Sequence, residues 1–180
     1  MRVIAGCAKG HRLKAPKGMG TRPVLDQVKE SMFNILFDVN GKRALDLFAG
    51  TGAVGIEALS RGVVHCTFVE NNRAALECLH TNLEHCRLQE FAIVIPTVVA
   101  HAFKRNLLVG PFDLIFVDPP YEQGLINPTL EMVASSGCLA TNGRIIIEHH
   151  PHELIEPPSE IILTDQRRYG QTRVSFLRFS

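Results

Sequence analysis

An apolar run from Phe112 to Val117 stops at Asp118-Pro119-Pro120-Tyr121. Each proline holds φ at about −65° and removes an N–H donor, so the backbone past Asp118 is stiff and offers its carbonyl oxygens as acceptors. This arrangement suits an amino nitrogen attached to an aromatic ring, whose delocalised lone pair makes it a poor nucleophile. The Asp118 carboxylate and the Pro119 carbonyl can each accept one N–H. They would thereby draw the nitrogen toward tetrahedral geometry and offset the positive charge that develops as it attacks a sulfonium methyl. Tyr121 can stack on the ring, which must be unpaired or turned out of its helix. No metal or covalent intermediate is needed. Taken alone, the same residues also read as a turn capped by Asp118 with Tyr121 as a packing residue.

A second constellation lies upstream, in Ala44-Leu45-Asp46-Leu47-Phe48-Ala49-Gly50-Thr51-Gly52-Ala53-Val54-Gly55. A strand runs into Gly50-Thr51-Gly52 and a helix leaves from Ala53, and glycines there permit a tight turn and close approach of a ligand to the backbone. Glu70, at the end of the next apolar run, can accept hydrogen bonds from both hydroxyls of a ribose. Read literally, Gly50 to Gly55 is also G-x-G-x-x-G with an acid about 20 residues on, the fingerprint of a nicotinamide dinucleotide site. Asp46 opposes that reading, because a carboxylate at the strand's end suits a ligand bearing a positively charged amino acid better than a pyrophosphate. The chain also leaves little room for a second, substrate-binding domain, and no catalytic His or Tyr-Lys pair is clearly placed.

Both constellations must sit on one edge of a sheet, since in open α/β sheets ligands bind beyond the carboxyl ends of the strands. The hydrophobic pattern predicts strands at Arg43–Phe48, His65–Val69, Ala92–Ile95, Phe112–Val117 and Arg144–Glu148. Helices are predicted at Val54–Arg61, Arg73–Cys86, near His101–Leu108 and at Leu125–Ala134. A further helix starts at Asp26, read as its N-cap, and is closed by Gly41. Alternation of strand and helix argues for a parallel sheet with right-handed crossovers. Glu160–Leu163 and Val174–Phe179 break the alternation and read as a terminal hairpin on one edge. Val3-Ile4-Ala5 and Arg12-Leu13-Lys14 suggest a small hairpin ahead of a Pro/Gly loop.

The 180 residues and 46% hydrophobic content fit one α/β domain with its own core. No apolar run is long enough to span a bilayer and no signal peptide is evident, so a cytoplasmic location is expected. The five cysteines form no Cys-x-x-Cys pair and read as reduced, idle thiols, Cys138 among them. His149-His150-Pro151-His152 lacks an acid or Cys to complete a ligand set, and no metal is expected. Six of the 19 basic residues, Arg2, Lys9, Arg12, Lys14, Lys17 and Arg22, fall in the first 25 positions, which leaves 13 bases against 18 acids elsewhere. A basic arm on an acidic body fits a polyanionic partner, and equally a solvated surface hairpin.

Together the glycine motif, the acid after it and D-P-P-Y resemble, in order, the class I methyltransferases that methylate nitrogen. Over nearly the whole length, the chain is similar to the RsmD family of bacterial small-subunit ribosomal RNA guanine-N2 methyltransferases. The similarity runs through Arg2-Val-Ile-Ala-Gly6, Lys9-Gly10, Thr21-Arg-Pro23, Phe33-Asn-Ile-Leu36, Leu45 to Gly62, Phe112 to Tyr121 and Arg168-Tyr169-Gly170. The resemblance implies a Rossmann-like α/β fold: a mostly parallel seven-stranded sheet with a C-terminal antiparallel hairpin and helices on both faces. It would form one domain over 1–180, with 1–24 as a basic hairpin and loop. It further implies that Asp46, Phe48, Gly50, Gly52 and Glu70 hold S-adenosylmethionine and that Asp118, Pro119 and Tyr121 hold the target amino group. Lys9, Arg12 and Arg22 would contact RNA, either free ribosomal RNA or a small-subunit particle, with no membrane and no obligate protein partner. DNA adenine-N6 methyltransferases share D-P-P-Y, so guanine N2 rests on the family resemblance. The chain departs from the family in Val24-Leu25 after Thr-Arg-Pro and in lacking an Asp or Asn after the third strand for the adenine.

Overall fold

The structure, a computed structural model, describes residues 1–16 and 23–180. Arg22 and the Thr21 beside it, expected at the RNA, lie outside the described residues. Short apolar runs that end at glycine, proline or an acid form β1 (Arg43–Leu47), β2 (His65–Glu70), β3 (Ala92–Pro96), β4 (Phe112–Val117) and β5 (Leu139–His149). Between and before them lie α1 (Pro23–Leu36), α2 (Ala53–Ser60), α3 (Arg73–Cys86), α4 (Val99–Lys104) and α5 (Ile126–Ser136), and β6 (Ile161–Tyr169) and β7 (Thr172–Phe179) close the chain. The sheet has seven strands in the order β3-β2-β1-β4-β5-β7-β6. β1 to β5 are parallel, and β7 runs antiparallel between β5 and β6. No helix among the described residues is long and apolar enough to cross a membrane.

Successive side chains of a strand face opposite sides, and here both sides are covered. Ala44, Leu114, Phe116 and Ile146 pack with Phe33 of α1, Ile56 of α2 and Leu79 of α3. Their neighbours Leu45, Ile115, Val117, Ile145 and Ile147 pack with Ala102 of α4 and Leu130 and Val133 of α5. Each fully buried Leu, Ile or Phe contributes about 1.5–3 kcal/mol by leaving water. The central strands therefore read as mostly apolar runs, with Asp46 and Thr67 as buried polar exceptions, and most polar groups emerge at their ends.

Several boundaries differ from those the sequence predicts. α1 begins at Pro23, and Asp26 is a first-turn acid rather than the N-cap. Proline suits the first helical position because the N–H it lacks would go unpaired there, and an acid in the first turn is favoured by the helix dipole. The helix stops at Leu36, where Phe37 turns to φ 62°, before Gly41 is reached. β6 runs on to Tyr169, so a turn at Gly170-Gln171 replaces the expected loop. β6 is an edge strand with mostly exposed, polar residues, which leaves no apolar period to read. The expected N-terminal hairpin is present but short: Arg2 bridges Arg12, and the N–H groups of Val3, Gly10 and Leu13 donate to the carbonyls of His11, Val3 and Met1.

That N-terminal arm is held by α2. The carboxylate of Glu57, fully buried, accepts N–H groups of Ile4 at 2.7 Å and Ala5 at 3.0 Å. It also pairs with Lys29 Nζ at 3.3 Å and Arg61 Nε at 2.7 Å, while Lys29 donates to the Arg2 carbonyl. Gly6 lies so close to α2 that a Cβ there would stand 1.7 Å from the Ser60 carbonyl oxygen, and its φ is +82°. Asn82 of α3 completes the attachment, accepting from Lys14 N–H at 2.7 Å and donating to the carbonyls of Lys14 and Thr51, each at 3.0 Å.

Replacing Glu57 with Ala leaves the Lys29 charge and two backbone donors buried without a partner. The expected loss is about 3–5 kcal/mol of unfolding free energy, measured by urea denaturation. A loss below about 1 kcal/mol would show that the arm does not depend on this carboxylate.

Candidate active site

The carboxyl ends of β1, β2, β3 and β4 open into one cavity of about 760 Å³. Phe48, Gly50 and Thr51 line it from the β1 loop, Glu70, Asn71 and Asn72 from β2, and Thr97 to Ala100 from β3. Asp118, Pro119, Pro120 and Tyr121 close it from β4, and α5 adds Leu125, Thr129 and Met132. Among the described residues, no Lys, Arg or His lines this cavity.

The β1 loop is shaped by backbone that few side chains tolerate. Phe48, Gly50 and Gly52 have φ of 62°, 55° and 80°. A Cβ on Gly52 would meet Leu79 Cδ1 at 2.2 Å, so the loop can lie against α3 only without one. A Cβ on Gly50 would have nothing within 4 Å, and this open position lies on the cavity wall. Glu70 is fixed by three backbone donors: Gly50 N–H at 2.7 Å on Oε2, and Asn71 and Asn72 at 2.7 and 2.6 Å on Oε1.

Two residues expected to hold the ligand stand one layer back. Asp46 is 2% exposed and does not line the cavity; its carboxylate accepts the Gly55 N–H at 2.9 Å beneath the loop. Gly52 likewise shapes the loop without facing the cavity. Burial pushes the Asp46 carboxyl up to about 7, Glu70 adding to the effect and the Gly55 hydrogen bond opposing it.

Asp118 stands beside Glu148, because Val117 pairs with Ile147 in the parallel register of β4 and β5. Asp118 opens onto the cavity, yet the protein crowds it. Desolvation, then Glu148, then Asp46 hold its carboxyl well above the usual range. Water filling the cavity moderates that rise, and a base closing over Asp118 would strengthen it. Burial also raises the Glu148 carboxyl. The Tyr121 hydroxyl donates to Glu148 Oε1 at 3.3 Å and lies 3.2 Å from Thr172 Oγ1. Burial is the main cause that takes its phenol up to about 12.

Glu148 and Thr172 were not singled out from the sequence. The signal was present: Glu148 ends the run Ile145-Ile146-Ile147 as Glu70 and Asp118 end theirs. Lys9 and Arg12, expected at RNA, are exposed and make no ion pair among the described residues.

The raised Asp46 gives a signed pH dependence of stability. Against an unfolded value of about 3.9, the folded state holds an extra proton between roughly pH 4 and 7. The Asp46 contribution is therefore complete below about pH 4 and is lost as pH rises through about 7. Asp46→Asn, which keeps the acceptor without the proton, should flatten the slope of unfolding free energy over that window. An unchanged slope in urea titrations would remove Asp46 as its source.

Comparison with known proteins agrees with this geometry. A family model described as conserved hypothetical protein 95 matches residues 1–178. The protein YlbH of Bacillus subtilis (strain 168) is 40% identical over 186 residues, covering 99% of this chain and 98% of that protein. Ribosomal RNA small subunit methyltransferase D of Escherichia coli (strain K12) is 34% identical over 149 residues, 82% of this chain and 74% of that protein. The solved structure of yhhF from Escherichia coli superposes with a TM-score of 0.85 at 30% identity, over 100% of this chain and 98% of that one. A sheet in the order β3-β2-β1-β4-β5-β7-β6, two strand-end loops on one cavity and these relatives together place the chain: it belongs to the family described as conserved hypothetical protein 95, that of the ribosomal RNA small subunit methyltransferases D.

Proposed function

We propose that the protein transfers a methyl group from S-adenosylmethionine to the exocyclic N2 of a guanine in small-subunit ribosomal RNA. The observation that carries this reading is a cavity walled by the carboxylates of Glu70 and Asp118, backed by Glu148 and Asp46, and lined among the described residues by no basic side chain. Such a site favours positive charge at its centre and disfavours a pyrophosphate.

The residues present fit the cofactor. The open position above Gly50 admits a ligand against the backbone, and Glu70, already oriented by three N–H groups, has acceptor capacity left for a vicinal diol. Val98 and Val99 offer an apolar wall for a flat ring, consistent with the lack of an Asp or Asn there. Asp46 acts through the Gly55 amide by holding the loop in shape. S-adenosylmethionine supplies an electrophilic methyl group on a sulfonium centre.

The rest of the chemistry belongs to this chain. Asp118 accepts one N–H of the target amine and the Pro119 carbonyl the other, which turns the nitrogen lone pair out of the ring. The same carboxylate offsets the charge that develops on nitrogen and then takes the released proton at Oδ, an acceptance that its raised pKa favours. Tyr121 lies against the base, and Glu148 and Thr172 hold its hydroxyl so that the ring keeps one orientation. Exposed Lys9 and Arg12 meet phosphates, which contribute affinity rather than choice of base. Guanine N2 is favoured by the resemblance to the family.

Labelled methyl transfer to small-subunit ribosomal RNA and to particles lacking the modification, followed by mass spectrometry of nucleosides, tests the reading. N2-methylguanosine is expected. N6-methyladenosine would correct the base, and cofactor binding without labelled RNA would correct the substrate. Asp118→Ala should keep cofactor affinity by calorimetry and lose about 10²–10³-fold in turnover; turnover near wild type would remove Asp118 from the reaction. The pH profile gives an independent check: the rate should rise with pH through a limb set above the ordinary carboxylate value of about 4, because protonated Asp118 has lost its charge. A limb at or below that value would contradict the crowding of Asp118 by Glu148 and Asp46.

A further inference from the structure

The histidines after β5 carry no expected role in methyl transfer, and from the sequence they lack an acid to complete a ligand set. Folding supplies one. Glu122, directly after Tyr121, comes to lie across from them, with Glu122 Oε1 3.9 Å from His150 Nδ1. The His150 and His152 rings meet edge to face with centroids 4.7 Å apart. One ligand atom from each of Glu122, His150 and His152 lies within 4.8 Å of the other two. We propose that these three side chains form a binding site for one divalent transition-metal cation, zinc above all, which ties the Asp-Pro-Pro-Tyr loop to the segment following β5.

Two imidazole nitrogens and one carboxylate oxygen make the donor set that zinc accepts, with a fourth position left for water. Bonds of about 2.1 Å in tetrahedral geometry put neighbouring ligand atoms about 3.4 Å apart, so closing on an ion requires a contraction of up to about 1.4 Å. Glu122 at 68% exposure has the freedom to make that movement. The His152 N–H reaches His150 Nδ1 at 3.4 Å, a long contact that an ion readily displaces.

The neighbouring histidine shows the contrast. His149 is buried, and both its ring nitrogens are engaged, Nδ1 with the His150 carbonyl at 3.0 Å and Nε2 with Ser175 Oγ at 2.9 Å. It is a packing residue, whereas His150 is partly buried and His152 is exposed. The backbone that carries the three ligands is already clipped together. Glu153 accepts the Glu122 N–H on Oε1 and the His150 N–H on Oε2, each at 3.0 Å. That second carboxylate adds negative charge beside the ligands and holds the two segments in register before any ion arrives.

The placement bears on the cavity rim. Glu122 adjoins Tyr121, and His150 lies two residues beyond Glu148, which accepts the Tyr121 hydroxyl. An ion held by Glu122 and His150 would fix both ends of that hydrogen bond and so the setting of Tyr121. The site itself stands whether or not the methyl-transfer reading does.

The test uses the full chain stripped of metal with a chelator. Zinc chloride is titrated by calorimetry into wild type, His152→Ala, Glu122→Gln and Cys7→Ser, the last removing the exposed thiol. One equivalent is expected in wild type, unchanged in Cys7→Ser and at least tenfold weaker in each ligand variant. Cobalt(II) gives a reading on wild type alone: visible bands of four-coordinate nitrogen and oxygen ligation, without the near-ultraviolet charge transfer of thiolate, are expected. Absence of stoichiometric binding, equal affinity in the ligand variants, a loss in Cys7→Ser or a thiolate cobalt spectrum would each overturn the proposal.

Discussion

A parallel sheet covered by helices on both faces has little room for polar side chains along its middle. The apolar layers on either side of β1, β4 and β5 exclude water, so a charged group can be solvated only where a strand runs out. Glu70, Asp118 and Glu148 are placed by that constraint, each following a buried run. Because β4 and β5 are neighbours in parallel register, Asp118 and Glu148 stand side by side. The resulting concentration of negative charge follows from the fold, and it gives the cavity its electrostatic character.

On the other side of α2, the same cost of burial works differently. Glu57 has no exposure, and its charge is met by Lys29 of α1, by Arg61 and by two amides of the N-terminal arm. A buried ion pair of this kind adds little net stability over an apolar replacement, but it specifies which segments must meet. Asn82 extends the specification to the glycine loop through the Thr51 carbonyl. The arm and the cavity wall therefore share an anchor in α3.

Much of this was legible in the residues, and what was not has physical causes. α3 shows from Arg73 to Cys86 because Asn72 caps it and Ala75, Leu79, Leu83 and Cys86 recur on its buried face. β4 shows because prolines end a run that is apolar but for Asp113. β6 shows only as far as Leu163, because its continuation to Tyr169 is a largely exposed edge strand without a hydrophobic period, and its pairing is decided by β7. Gly50, Glu70, Asp118 and Tyr121 sit on the cavity, as strand-end positions should. Asp46 does not, because it lies below the turn it supports, a depth that spacing along a chain does not encode. The acid beside His150 escaped notice for a similar reason: Glu122 comes from a different strand end, and only the folded sheet brings the two together.

The arm's attachment also has a consequence for the order of assembly. Ile4 and Ala5 leave a ribosome before the carboxylate that receives their amides, which belongs to residue 57, and Asn82 follows later still. Until α2 and α3 have formed, the amides of Ile4, Ala5 and Lys14 have only water to bind. A segment made before α2 and α3 thus takes its place only after them, on an asparagine that also holds the Thr51 carbonyl of the glycine loop.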